Sequence, residues 1–259
     1  MRNNSTWARL LPSPTSWPKD AWNPLLTSLA FFGVVALFIV AQILYLVIGA
    51  RLGAIDPLNL AAMSPTQLIL LQLCSFAPVT VFLLFAVPRL ARVSLRELGF
   101  RAPTGREVFI AVVSALAMLV CVDGLGSLLA AVSHHHDTEE AITLLREMKT
   151  PYERALFFSL ACVFAPFYEE LGFRVYIFNA LSRYVPVWFA IVLSAIPFGL
   201  LHAVGGSSFS PLTVGLPLAV GGAILAYVYS VTKCFWASVI THALFNAIGV
   251  LSAFVFHAT

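Results

Sequence analysis

The chain has 259 residues, of which 60% are hydrophobic and only 10% charged, with a mean hydropathy of +0.91. A soluble domain of this length carries about a quarter charged residues to cover its surface, so lipid must be the solvent for most of this chain. The formal charge of +3 is small, and the basic residues stand beside apolar runs. That pattern speaks to orientation in a membrane and against nucleic acid as a partner.

Residues 1–26 are polar and broken by prolines, with Trp7, Trp17 and Trp22 spaced as an interfacial aromatic belt. Seven apolar runs follow, at about Leu25–Ala50, Gln67–Val87, Val108–Val132, Ala155–Leu181, Val187–Val204, Leu212–Val231 and Phe235–Phe256. At ~1.5 Å per residue each is expected to cross a hydrocarbon layer of ~30 Å. None shows strand alternation, so the expectation is an all-α transmembrane bundle of about seven spans. The division expected is a cytoplasmic segment over residues 1–26 and one helical membrane domain over residues 27–259. The first two helices read as anchors.

The loops set the orientation. Arg2, Arg9 and Lys19 precede the first run, and Arg89, Arg92, Arg96, Arg101 and Arg106 make the second loop the most basic. Asp137, Glu139, Glu140, Glu147 and Glu153 make the third acidic, and Arg183 and Lys233 follow in later loops. This alternation puts the N-terminus in the cytoplasm and the C-terminus outside, in a cell (inner) membrane. The four cysteines, Cys74, Cys121, Cys162 and Cys234, form no CxxC pair and read as small apolar residues. The run His134–His136 beside Asp137 reads as a solvated outer loop. In the sixth run Gly215, Ala219 and Ala223, with Gly222 and Ala226 beside them, form a small-residue stripe suited to close helix packing.

Ionisable groups within a span cost about 2.5–3.5 kcal/mol each on insertion scales and point to function. The fourth run holds Glu169, Glu170 and Arg174. Glu170 and Arg174 are four apart with the acid first, the favourable order for an ion pair. Glu169 points about 100° away around the helix and needs another partner. Phe198 and His202 share a face of the fifth helix, and His242 and Asn246 share a face of the seventh. A carboxylate with a histidine can activate water, and an asparagine amide can donate to an oxyanion. The same Glu169, His202 and His242 could instead hold a divalent metal such as zinc, although there is no HExxH helix. Spacing alone leaves both open. Asp123, in the third run, stands outside this set.

The strings EELGFR (Glu169–Arg174), FGLLH (Phe198–His202) and HALFN (His242–Asn246) resemble the three motifs of the CPBP family, the CAAX-protease and bacteriocin-processing group of intramembrane endopeptidases. The resemblance covers about residues 95–250, starting from LRELGFR (Leu95–Arg101). It implies Glu169 as general base, His202 as its partner, and His242 with Asn246 at the oxyanion. Glu170, Arg174 and Phe198 would shape the pocket. The family's arginine is often followed by glycine, where this chain has Val175. The family is described both as metal-dependent and as metal-independent glutamic proteases, so the cofactor is none or a divalent metal. The implied partner is a peptide or protein substrate at the bilayer, membrane-anchored or lipidated. A transporter, or a non-catalytic immunity or scaffold protein, could use the same polar cluster. By linear depth His202 lies near the outer end of its span and His242 nearer the inner end. Tilt, or a break near Pro166 or Gly172 in the fourth helix, is needed to bring them level, and a kink is expected beside Pro166 or Pro197.

Overall fold

The computed structural model describes residues 11–12, 15–135, 140–204 and 206–257, and every regular element among them is helical. Eight helices follow in order. They are α1 (Pro24–Arg51), α2 (Pro65–Ala91), α3 (Gly105–Ser133), the short α4 (Glu140–Glu147), α5 (Pro151–Ser182), α6 (Val187–His202), α7 (Pro211–Thr232) and α8 (Phe235–His257). Six are long and apolar enough to span a bilayer, and α6 is a shorter apolar helix. The protein is an integral membrane protein. The acidic loop holds α4, which the sequence reading left as irregular. Its neighbours Leu145 and Met148 pack with Ile69, Phe157 and Val250.

Local chemistry explains where the helices begin. Ser64 with Gln67, Thr104 with Glu107 and Thr150 with Glu153 each form a reciprocal cap, and Asn23 caps α1. Prolines at the first helical position of α1, α2 and α5 lose no bond there. The small-residue stripe is packing, as expected. A Cβ on Gly199 of α6 would collide with the Gly215 carbonyl and Ala219, and one on Gly222 would stand 2.9 Å from the Phe198 ring. The most apolar stretch of α7 is 61% buried and that of α1 not at all, so α7 is the central post and α1 the edge.

The ends of the helices gather on two faces. On one, the strap of residues 15–22 crosses the ends of α2, α5 and the α7–α8 turn. The Trp22 amide donates to Leu90 O, Tyr184 Oη to Trp22 O, Trp17 Nε1 to Ser182, and Lys233 Nζ to Thr15. Trp22 is fully buried against Tyr176 and Trp17. It is a core residue and not part of an interfacial belt; Trp7 lies outside the described residues.

On the same face, Arg101 joins Glu107 and the Thr232 carbonyl, and the Phe235 amide donates to Gly99 O. Gly99 has φ +97°, and a Cβ there would stand 2.8 Å from Phe235 N. Glycine is required by both conformation and space. This clamp buries Cys234 and Phe235, so α8 starts below the surface.

Two expectations on length need correction. α6 has 16 residues, or about 24 Å, short of the ~30 Å expected of every run. The fourth span is one helix, yet its ladder switches to π twice, over Leu160–Phe164 and Leu171–Phe178, with α over Pro151–Ser159, Ala165–Glu170 and Asn179–Ser182. The disturbance falls beside Pro166, while α6 stays a single α-helix through Pro197. Cys74 and Cys121 are exposed and Cys162 and Cys234 buried, and none is paired.

Candidate active site

Three helices bring their polar residues to one place. Glu170 and Arg174 face inward from α5, both essentially without exposure, with Arg174 Nε 3.1 Å from Glu170 Oε2. They meet by proximity of charge and not by an aligned hydrogen bond. Arg174 Nη2 donates to the Gly222 carbonyl at 3.1 Å, and the guanidinium lies 4.5 Å from the Phe198 ring centre. Phe198 also stands 4.7 Å from the His202 ring and 5.8 Å from the His242 ring. One aromatic side chain thus supports the arginine and both histidines.

The histidines are fixed by their Nδ1 atoms. His202 Nδ1 lies 2.7 Å from the Phe198 carbonyl, which can only accept, so Nδ1 carries the proton there. His242 Nδ1 lies 3.1 Å from Glu170 Oε1, the carboxylate that Arg174 faces. Both rings turn Nε2 toward Glu169 Oε2, each at 3.8 Å. Oε2 is buried and has no hydrogen-bond partner. A buried polar atom without a partner is rare in native structures and marks a site of chemistry or strain.

Asn246 behaves differently from its neighbours. Its Nδ2 donates to the Ala161 carbonyl at 2.7 Å, so one amide hydrogen is committed to the backbone of α5. Asp123 is on an exposed face of α3 and does not join the cluster. Nor does the histidine run: His135 stacks on Phe209, and His136 and Asp137 lie outside the described residues.

Donor types at Glu169, His202 and His242 suit zinc, and histidines that bond through Nδ1 resemble metal ligands with their outer partners in place. The spacing does not suit it. Around a tetrahedral ion at ~2.0–2.2 Å, ligand atoms stand about 3.3–3.5 Å apart, against 3.8 Å here. Among the described residues no three His, Cys, Asp or Glu side chains form a metal-binding group.

Several contributors have no sequence signal. Phe76 of α2 stacks on Tyr168 at 3.9 Å between ring centres, beside Glu169, and Gln72 hydrogen-bonds Tyr168. α2 therefore builds the site's wall and is more than an anchor. α1 is tied to α5 farther along, where Tyr176 Oη donates to Thr27 O. Gly222 seats Phe198 and binds Arg174 through its carbonyl, which no side-chain pattern could reveal.

Residues 151–248 match the family described as type II CAAX prenyl endopeptidase, Rce1-like. The matched stretch holds all of the residues just described on α5, α6 and α8, and it bears out the resemblance read from the three motifs. It is shorter than residues 95–250, and Leu95–Arg101 lies outside it. No curated protein and no solved structure matches the chain.

Proposed function

From a membrane bundle whose residues 151–248 match the type II CAAX prenyl endopeptidases, we propose an intramembrane endopeptidase of the glutamic type, acting near the membrane surface on a membrane-anchored peptide. The observation that carries this reading is Glu169 Oε2, buried without a hydrogen bond and 3.8 Å from both Nε2 atoms.

Glu169 takes a proton from water as the oxygen attacks the peptide carbonyl. His202, with Nδ1 on the Phe198 carbonyl, offers its Nε2 lone pair to the same water and orients it. Negative charge then develops on the carbonyl oxygen. His242, with Nδ1 turned to Glu170, presents its Nε2 edge to that oxygen as the donor. Preorganised donors of this kind are worth roughly 3 kcal/mol where they have been removed. Glu169 returns its proton to the amine as the C–N bond breaks, leaving a carboxylic acid and an amine. Glu170, Arg174 and Phe198 hold the geometry.

Lys19, the arginines of residues 89–106, Arg183 and Lys233 occupy one face. By the positive-inside rule this face is cytoplasmic and the membrane is the cell's inner one, with the C-terminus outside.

The test uses purified protein in proteoliposomes and an internally quenched peptide ending in a farnesylated CAAX box. Glu169→Gln and His202→Ala are expected to lose at least about a hundredfold in kcat/KM. Wild-type turnover in both variants would overturn the reading. Treatment with 1,10-phenanthroline should leave turnover unchanged. A loss restored by zinc would assign Glu169, His202 and His242 to a metal instead.

A further inference from the structure

The first π segment of α5, Leu160–Phe164, leaves one backbone carbonyl without a partner in its own helix. In an α-helix the Ala161 carbonyl would accept from the amide of residue 165, and in a π-helix from that of residue 166. The Ala165 amide donates to Leu160 O. Residue 166 is proline and has no N–H. Both of these backbone donors are out of play. The donor that Ala161 O receives comes from another helix, as Asn246 Nδ2 at 2.7 Å.

We propose that Asn246 is a positioning residue that replaces the proline's missing N–H, locking α8 onto α5 at the depth where His242 faces Glu169. Asn246 stands one turn beyond His242, and Ala161 two turns before Glu169. A bond between these positions fixes the sliding of one helix on the other. Such sliding would move His242 Nε2 relative to Glu169 Oε2. The inference rests on the endopeptidase reading for its effect on turnover, but the bond to Ala161 is also read by stability alone. It differs from a role in which the Asn246 amide binds the developing oxyanion, because it acts through α5's backbone and touches no substrate atom.

The test is a double-mutant cycle with Pro166→Ala, which restores a backbone N–H beside Ala161. Wild type, Asn246→Ala, Pro166→Ala and the double variant are compared for turnover of the farnesylated quenched peptide and for melting temperature in the same detergent. Asn246→Ala is expected to lower kcat roughly 10- to 100-fold, the scale for a small misplacement of catalytic groups. It should leave KM within about threefold and lower the melting temperature. In the double variant both losses are largely cancelled, because Ala161 O again has a donor. A double variant as slow and as labile as Asn246→Ala would overturn the proposal. If stability is restored but turnover is not, Asn246 works on the substrate and the positioning role fails. If no variant, wild type included, cleaves the peptide, the endopeptidase reading fails. The thermal half of the cycle then decides the bond to Ala161 by itself.

Discussion

The clamp at the basic face and the cluster between α5, α6 and α8 use similar residues in opposite ways. In the clamp, Arg101 meets Glu107 and a backbone carbonyl, Gly99 receives the Phe235 amide, and Lys233 reaches Thr15. Its charges have partners, and its work is to hold the turn from which α8 starts. In the cluster the pairing is incomplete. Glu170 has Arg174 at ion-pair distance and the His242 ring at Oε1, although its Oε2 and Arg174 Nε and Nη1 make no hydrogen bond; Glu169 turns its buried Oε2 to two imidazoles at 3.8 Å. The ion pair fixes geometry, and the carboxylate outside it is the one placed to act on water.

The largest effect should come from treating Glu170 as if it were Glu169. Glu170→Gln leaves the Arg174 charge buried without its counter-ion, which typically destabilises by about 3–5 kcal/mol. The expected outcome is a large drop in melting temperature and poor accumulation in membranes. A Glu170→Gln protein that melts like wild type would erase the distinction between the two carboxylates. A smaller effect is expected at the clamp. Gly99→Ala forces a Cβ against Phe235 N and Lys233 O at positive φ, and such backbone strain costs about 1–3 kcal/mol. A thermal melt should show this loss, and an unchanged melt would remove the clamp from the account.

The smallest effect is in the pH response of the same turn. Burial pushes the Lys233 ammonium down to about 8. The folded protein therefore binds fewer protons than the unfolded chain between about 8 and the ordinary lysine value. Stability should rise with pH across that window. Compared with Lys233→Asn, which tolerates the left-handed conformation at this position, wild type should gain a few degrees between pH 7 and pH 10. A constant gap between the two proteins would show that Lys233 is not held in this way.

Much of this was legible in the sequence because lipid imposes simple rules. The spans follow from apolar length, and the helix of Glu170 and Arg174 follows from their spacing of four. What spacing could not supply lies where the backbone leaves the α register. The link between Asn246 and Ala161 exists because Pro166 falls two residues after a π segment, and a hydropathy pattern carries no trace of that register. The same limit applies to Trp22, whose burial depends on a strap folded over distant helix ends. It also applies to α2, whose Phe76 meets Tyr168 across more than ninety residues. α6 is shorter than the run read for it for a simpler reason: apolar residues continue past His202 into Ala203 and Val204 after the helix has ended.

The most direct measurement is turnover of the farnesylated quenched peptide by purified Glu169→Gln, made on protein whose melting temperature is recorded in the same preparation. The account predicts a variant that melts at or above the wild-type temperature and cleaves at least about a hundredfold more slowly. A Glu169→Gln protein that is equally folded and equally active would contradict it.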